Sequence, residues 1–140
     1  MLRYIVAYFA TLVVFLAIDS VWLSTMANRL YKPTLGDILL PQFLPAPAIA
    51  FYLVFVVGVI IFAVTPAIQS GNWVQALVYG GLFGFFSYGV YDLTNWATLR
   101  NWTWQITFAD VCWGTFLTGT AAALGTVISG ALVKAVGGAS

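Results

Sequence analysis

Residues 4–26 read YIVAYFATLVVFLAIDSVWLSTM, an apolar run interrupted by one charge, Asp19. An α-helix crosses the hydrocarbon of a bilayer in ~20 consecutive residues, so this run is long enough to span. Along it Tyr4, Tyr8, Thr11, Phe15, Asp19 and Trp22 recur at steps of three and four. At ~100° per residue they form one stripe. The stretch predicts a membrane helix with a polar and aromatic face and an acid held at hydrocarbon depth. A carboxylate placed there costs at least ~2.5–3.5 kcal/mol on insertion scales, which marks it as a functional candidate. A cleaved signal peptide is the competing reading. The apolar run continues past Asp19 to Met26 with no small-x-small cleavage site, so a retained helix is expected.

Three more such runs follow, at about 46–68, 73–99 and 106–136. The second is opened by Pro45 and Pro47 and closed near Pro66, and the fourth is longer than a bilayer requires, hence tilted or protruding. The runs are continuous, where barrel strands would alternate over ~10 residues. The expected fold class is all-α: an integral membrane four-helix antiparallel bundle, one domain over residues 1–140. Residues 69–72 read as a tight turn on Ser70-Gly71, and residues 100–105 as a short link with Trp102 and Trp104 as headgroup-level anchors. The long link, 27–44, holds a capping-box-like Thr34-Leu-Gly-Asp37 ahead of Ile38, Leu39 and Leu40, which predicts a short interfacial helix. Residues 137–140 are expected to fray.

The composition agrees with this class. The chain is 62% hydrophobic and 6% charged, against ~25% charged in soluble domains. A net charge of +1 gives no reason to expect a nucleic-acid partner. Histidine is absent and Cys112 is the only cysteine. An intrachain disulfide and His-ligated haem are thereby excluded, and His/Cys sites for zinc, copper or an iron–sulfur cluster are not expected. Cys112 reads as a small apolar filler. The sequence names no cofactor. Arg29, Lys32 and Arg100 stand on the side of the first and third links, and Arg3 and Lys134 on the other. The excess predicts that those links are cytoplasmic and both termini outside.

Two more aspartates share the predicament of Asp19. Asp92 lies about seven residues before the end of the third run and Asp110 about four after the start of the fourth, while Asp19 lies about seven before the end of the first. At 1.5 Å per residue all three fall ~6–11 Å inside the same membrane boundary if neighbouring helices are antiparallel. Helical phase points them inward. On the third run Gly80, Gly84, Ser87, Tyr91 and Asn95 form a stripe, with Tyr88 and Asp92 on its flank. Gly80 and Gly84 make a G-x-x-x-G pair suited to close helix contact. On the fourth, Thr107, Asp110, Gly114, Thr118, Ala121, Gly125 and Ser129 share a face. The second run has no charge, and its Phe51, Tyr52, Phe55 and Phe62 predict an aromatic wall partly facing lipid. Donors near each acid suggest that Asp92 is held by Tyr88, Asn95 or a Trp N–H, and Asp110 by Trp113 or Thr107. The candidate ligand-binding set is Asp19, Trp22, Tyr88, Tyr91, Asp92, Asn95, Asp110 and Trp113.

The run from Tyr91-Asp92-Leu93-Thr94-Asn95 to Leu99, with Asp110-Val-Cys-Trp113-Gly114-Thr115 and the opening from Tyr8 through Asp19 to Trp22-Leu23, resembles a family of small bacterial inner-membrane proteins. That family is known only as a domain of unknown function, and the likeness covers nearly the whole chain. Trp96 departs from the small or apolar residue usual after its Tyr-Asp-Leu-Thr-Asn. The resemblance implies a four-span protein of the bacterial inner membrane and no assigned activity.

Three functions compete. An acidic pocket walled by Trp and Tyr suits a small cationic or polar solute, bound or transported; four short helices enclose little, so transport calls for a homodimer. Small size, short links and many aromatics equally fit an accessory or assembly subunit of a larger membrane complex. A lipid-modifying membrane enzyme using Mg²⁺ on carboxylates is the third. The chain has no D-D-x-x-D cluster, no Gly-rich phosphate loop, no histidine and no activated nucleophile, so the balance lies against an enzyme. The aromatic walls would also suit a pigment or quinone, though lipid contact accounts for them as well. The partners expected are the lipid bilayer, a small solute or lipid ligand, and a second copy or a larger complex.

Overall fold

The computed structural model describes residues 1–137, and its regular structure is helical throughout. Helix α1, Leu2–Met26, runs through a π turn, Ala27–Tyr31, into the short α2, Lys32–Leu35. The second long helix is α3, Pro45–Val59, a π turn, Ile60–Val64, and α4, Thr65–Ser70. Helix α5, Trp73–Thr98, and helix α6, Trp104–Gly137, complete the bundle. The tail beyond Gly137 lies outside the described residues, and Gly137 itself closes α6.

The chain reverses where its residues require it. Gly71 ends α4 at φ 70°, the left-handed conformation that glycine adopts without a Cβ penalty. Asn72 then accepts the Val74 N–H at 3.0 Å and caps α5. Each π turn is followed by a Lys-Pro or Thr-Pro step, and each is closed by an i→i+5 bond, Lys32 N–H to the Ala27 carbonyl and Thr65 N–H to the Ile60 carbonyl. A proline lacks the N–H for the preceding turn, and widening that turn by one residue lets the helix continue. This corrects two expectations. Pro66 does not close the second helix, which runs on to Ser70. The short helix of the first link lies at Lys32–Leu35 and abuts α1, so Thr34 is inside it and Asp37 follows it rather than starting a new one.

Helix α6 is the centre, packed along α5 on one side and α1 on the other. Arg3, Thr11 and Asp19 of α1 lie against Gly130, Gly125 and Trp113 of α6 in turn, so these two helices are antiparallel. The predicted face of α6, from Thr107 through Asp110, Gly114, Thr118, Ala121 and Gly125 to Ser129, is buried along its length. On α1 the buried residues are Ala7, Thr11, Phe15 and Asp19, which follows the predicted stripe with Ala7 at its start. On α5 centre and flank are exchanged. Gly80, Gly84 and Asp92 are buried, while Tyr91 is exposed. A Cβ on Gly80 would come within 2.8 Å of the Ala122 Cβ and 2.9 Å of the Thr118 carbonyl, so the G-x-x-x-G pair sets how α5 meets α6. That contact turns Asp92 inward and Tyr91 out.

Three stretches are long and apolar enough to cross a membrane: Leu2–Leu35, Pro45–Ser70 and Trp104–Gly137. Helix α5 is 26 residues long, but its glycines, tyrosines, Asn and Asp hold its hydropathy below the other three. Cys112 is exposed on the outside of α6 rather than filling the core. Trp102, expected as an interfacial anchor, is instead buried with Leu35 and Ile106, its indole N–H donating to Thr107 at 3.1 Å. Trp104 is exposed.

Candidate functional site

Asp19 leaves α1 on its buried face and is nearly sealed from the surroundings. Its two oxygens are each taken by an aromatic donor: the Tyr52 hydroxyl at 2.7 Å and the Trp113 indole N–H at 3.1 Å. These donors belong to α3 and α6, so the Asp19 carboxyl ties three helices together. Asp110 accepts the hydroxyl of Tyr31, from the π turn after α1. Tyr31 in turn accepts the Trp22 indole N–H at 3.1 Å. Trp22 and Trp113 stack, ring centres 4.4 Å apart and planes within 10°. The two acids are thus joined through a chain of aromatic rings. Hydrogen bonds to ionised acceptors are about twice as strong as neutral ones, and these rings supply them without adding charge.

Asp92 is different. It is fully buried, and neither of its oxygens receives a hydrogen bond. The Asp110 carboxyl is its acidic neighbour across the α5–α6 contact. Two acids placed together are relieved by a positive species, a proton or a cation. None of the donors expected for Asp92 serves it, and Asp110 is held by Tyr31 rather than by Trp113 or Thr107. Trp113 serves Asp19, and the Thr107 hydroxyl donates to the Thr103 carbonyl while accepting from Trp102.

A cavity of about 860 Å³ opens beside these groups. Of the residues expected to form a site, Asp19, Trp22, Tyr88, Tyr91, Asp110 and Trp113 line it. Asp92 stands behind Asp110, and Asn95 lies off the cavity, partly buried on α5. Gly114 leaves room for the Tyr88 ring, which its own Cβ would strike, and this lets the ring stand as the wall between α5 and α6. Tyr88 also meets Phe55 edge-on at 6.3 Å, closing the deep side. Among the described residues no three acid or thiol side chains stand close enough to hold a metal ion together.

Sequence spacing missed two polar members of the site, Tyr31 and Tyr52. Tyr52 was expected only as part of an aromatic wall. Its signal is depth: it lies about two turns into the second helix, as far from that end as the acids are from theirs. Tyr31 was hidden by helical phase. In an unbroken α-helix nine residues at ~100° each put it on the face opposite Trp22. The π turn absorbs one residue and brings it back, and packing against Leu35, Trp102 and Ile106 holds it there.

Residues 4–127 match the family described as predicted membrane protein (DUF2177). The chain belongs to this family. The matched stretch contains all three buried aspartates and both tyrosines that serve them. No curated protein and no solved structure matches the chain.

Proposed function

We propose that this multi-pass membrane protein binds or transports a small cationic solute at the cavity between Asp19 and Asp110. The observation that carries this reading is the charge of the cavity. Two buried carboxyls line it and a third stands behind, while no Lys or Arg lies on its wall. An ammonium group would place the missing positive charge between Asp110 and Asp19, and the Trp22–Trp113 stack and Tyr88 offer π faces for its remaining sides. A divalent metal ion fits less well. It wants six or more oxygen ligands, and only two carboxyls line the cavity.

Other parts of the proposal concern the surroundings. Helix α5 crosses the bilayer as the fourth span, since it lies along α6 for most of its length. The location is the bacterial inner membrane, with the Arg29, Lys32 and Arg100 end in the cytoplasm and the cavity near that leaflet. Titrating the protein in lipid nanodiscs with methylammonium chloride, read by tryptophan fluorescence, tests the site. Trp22 and Trp113 should report saturable binding that is lost in Asp19→Asn and Asp110→Asn, with sodium acetate silent. A flat titration in the wild-type chain would refute the reading.

A further inference from the structure

We infer that the natural ligand of this site is an amphiphilic amine, an alkylammonium whose head rests on the acids and whose tail leaves through the cavity mouth into the bilayer leaflet. This rests on the cation-binding reading above and names the class of ligand. The cavity is polar only at depth. Its outer wall is made by Leu23, Ile38, Leu39, Phe51, Tyr91 and Leu99, all exposed and none charged. A hydrated ion arriving from water would have to shed its shell against hydrocarbon before reaching Asp110, at heavy desolvation cost. An alkyl chain meets no such barrier.

The wall beside this mouth is also little buried. Helix α3 has no buried residue before Val56, although its continuation through the π turn packs closely on α5. The opening therefore lies along the first turns of α3. The segment that leads into them carries Ile38, Leu39, Leu40, Phe43 and Leu44, every one exposed. Such a segment calls for an apolar surround, which lipid chains or a lipid-like ligand supply, and Ile38 and Leu39 line the cavity itself. At the deep end two buried carboxyls, Asp19 and Asp110, line the cavity and no Lys or Arg does, which points to a cationic head rather than a neutral lipid. The shape of the site is thus acid at the bottom, aromatic rings around the neck and hydrocarbon at the exit.

The test is a series of n-alkylammonium chlorides, methyl, butyl, hexyl and octyl, titrated into the nanodisc-embedded protein. Binding is read by tryptophan fluorescence against free aqueous amine, with empty nanodiscs used to subtract partitioning. The apparent Kd should fall by about fourfold per added methylene, the weight of one CH₂ removed from water. It should rise at least tenfold for every member in Asp110→Asn. Leu39→Asn, at an exposed rim position, should weaken octylammonium several-fold more than it weakens methylammonium; size-exclusion profiles establish that each variant is folded. A Kd independent of chain length would overturn the amphiphile inference and leave the small-cation site intact. Chain-length dependence undiminished in Asp110→Asn would show the tail partitioning alone and overturn it too. No binding by any member, methylammonium included, would remove both readings.

Discussion

At the scale of single residues, the three buried acids are not equivalent. Asp19 has a donor on each oxygen, Asp110 has Tyr31, and Asp92 has none. A buried group left without its partner costs ~1–3 kcal/mol. Asp92→Asn should therefore raise stability by about that amount, since the amide can donate to Asp110 and carries no charge. Tyr52→Phe should lower stability by a similar ~1–3 kcal/mol, because it strips one oxygen of Asp19. Thermal unfolding of both variants in the same detergent checks the opposite signs. Equal destabilisation would mean that Asp92 has a partner after all. The acids themselves were legible in the sequence, because a charge inside an apolar run is visible from composition. Their partners were not. Tyr52 sits among phenylalanines, and nothing in its neighbours separates a donor from a lipid-facing ring.

At the scale of elements, the helices are held by close backbone approach and by the aromatic hydrogen bonds, because burial in lipid gives little drive for one helix to meet another. Gly80 and Gly84 carry the α5–α6 contact. Gly84→Leu should force the pair apart and cost at least ~1–3 kcal/mol of stability. Gly89→Ala should leave stability unchanged or raise it by up to about 1 kcal/mol in the same measurement, because a Cβ there meets nothing and Ala favours the helix. The face of α6 was readable from spacing because its small and polar residues recur from Thr107 to Ser129, about six turns, without interruption. Tyr31 was unreadable because a π turn shifts phase by one residue, and no local residue pattern before Lys32-Pro33 announces it. That turn gives its own prediction. Asn28 is exposed inside it, and deleting Asn28 should convert the π turn to α and keep Tyr31 on Asp110. Inserting an alanine after Asn28 should instead swing Tyr31 away and destabilise the protein. Unfolding temperatures of the two variants distinguish these outcomes.

At the scale of the whole molecule, the bundle places all its buried acids at one end, the end that carries Arg29, Lys32, Asp37 and Arg100. On the proposed orientation this end is cytoplasmic. In a Cys112→Ala background, Asp37→Cys should react with a membrane-impermeant maleimide only in inside-out vesicles; labelling in intact cells would reverse the orientation. The helical bundle itself was legible because four apolar runs and their short links leave few other arrangements. The cavity was not, since it arises where the first turns of α3 bury no residue, which no residue spacing foretells. The central claim is that a cation sits against the Asp110 and Asp19 carboxyls. The most direct test is solid-state NMR on bilayer-reconstituted protein with ¹³Cγ-labelled aspartate, in an Asp37→Asn background, and ¹⁵N-methylammonium. The account predicts ¹³C–¹⁵N dipolar coupling for carboxyl carbons within about 4 Å of the ammonium, the contact distance of an ion pair. Saturating amine with no coupling to any aspartate would contradict it.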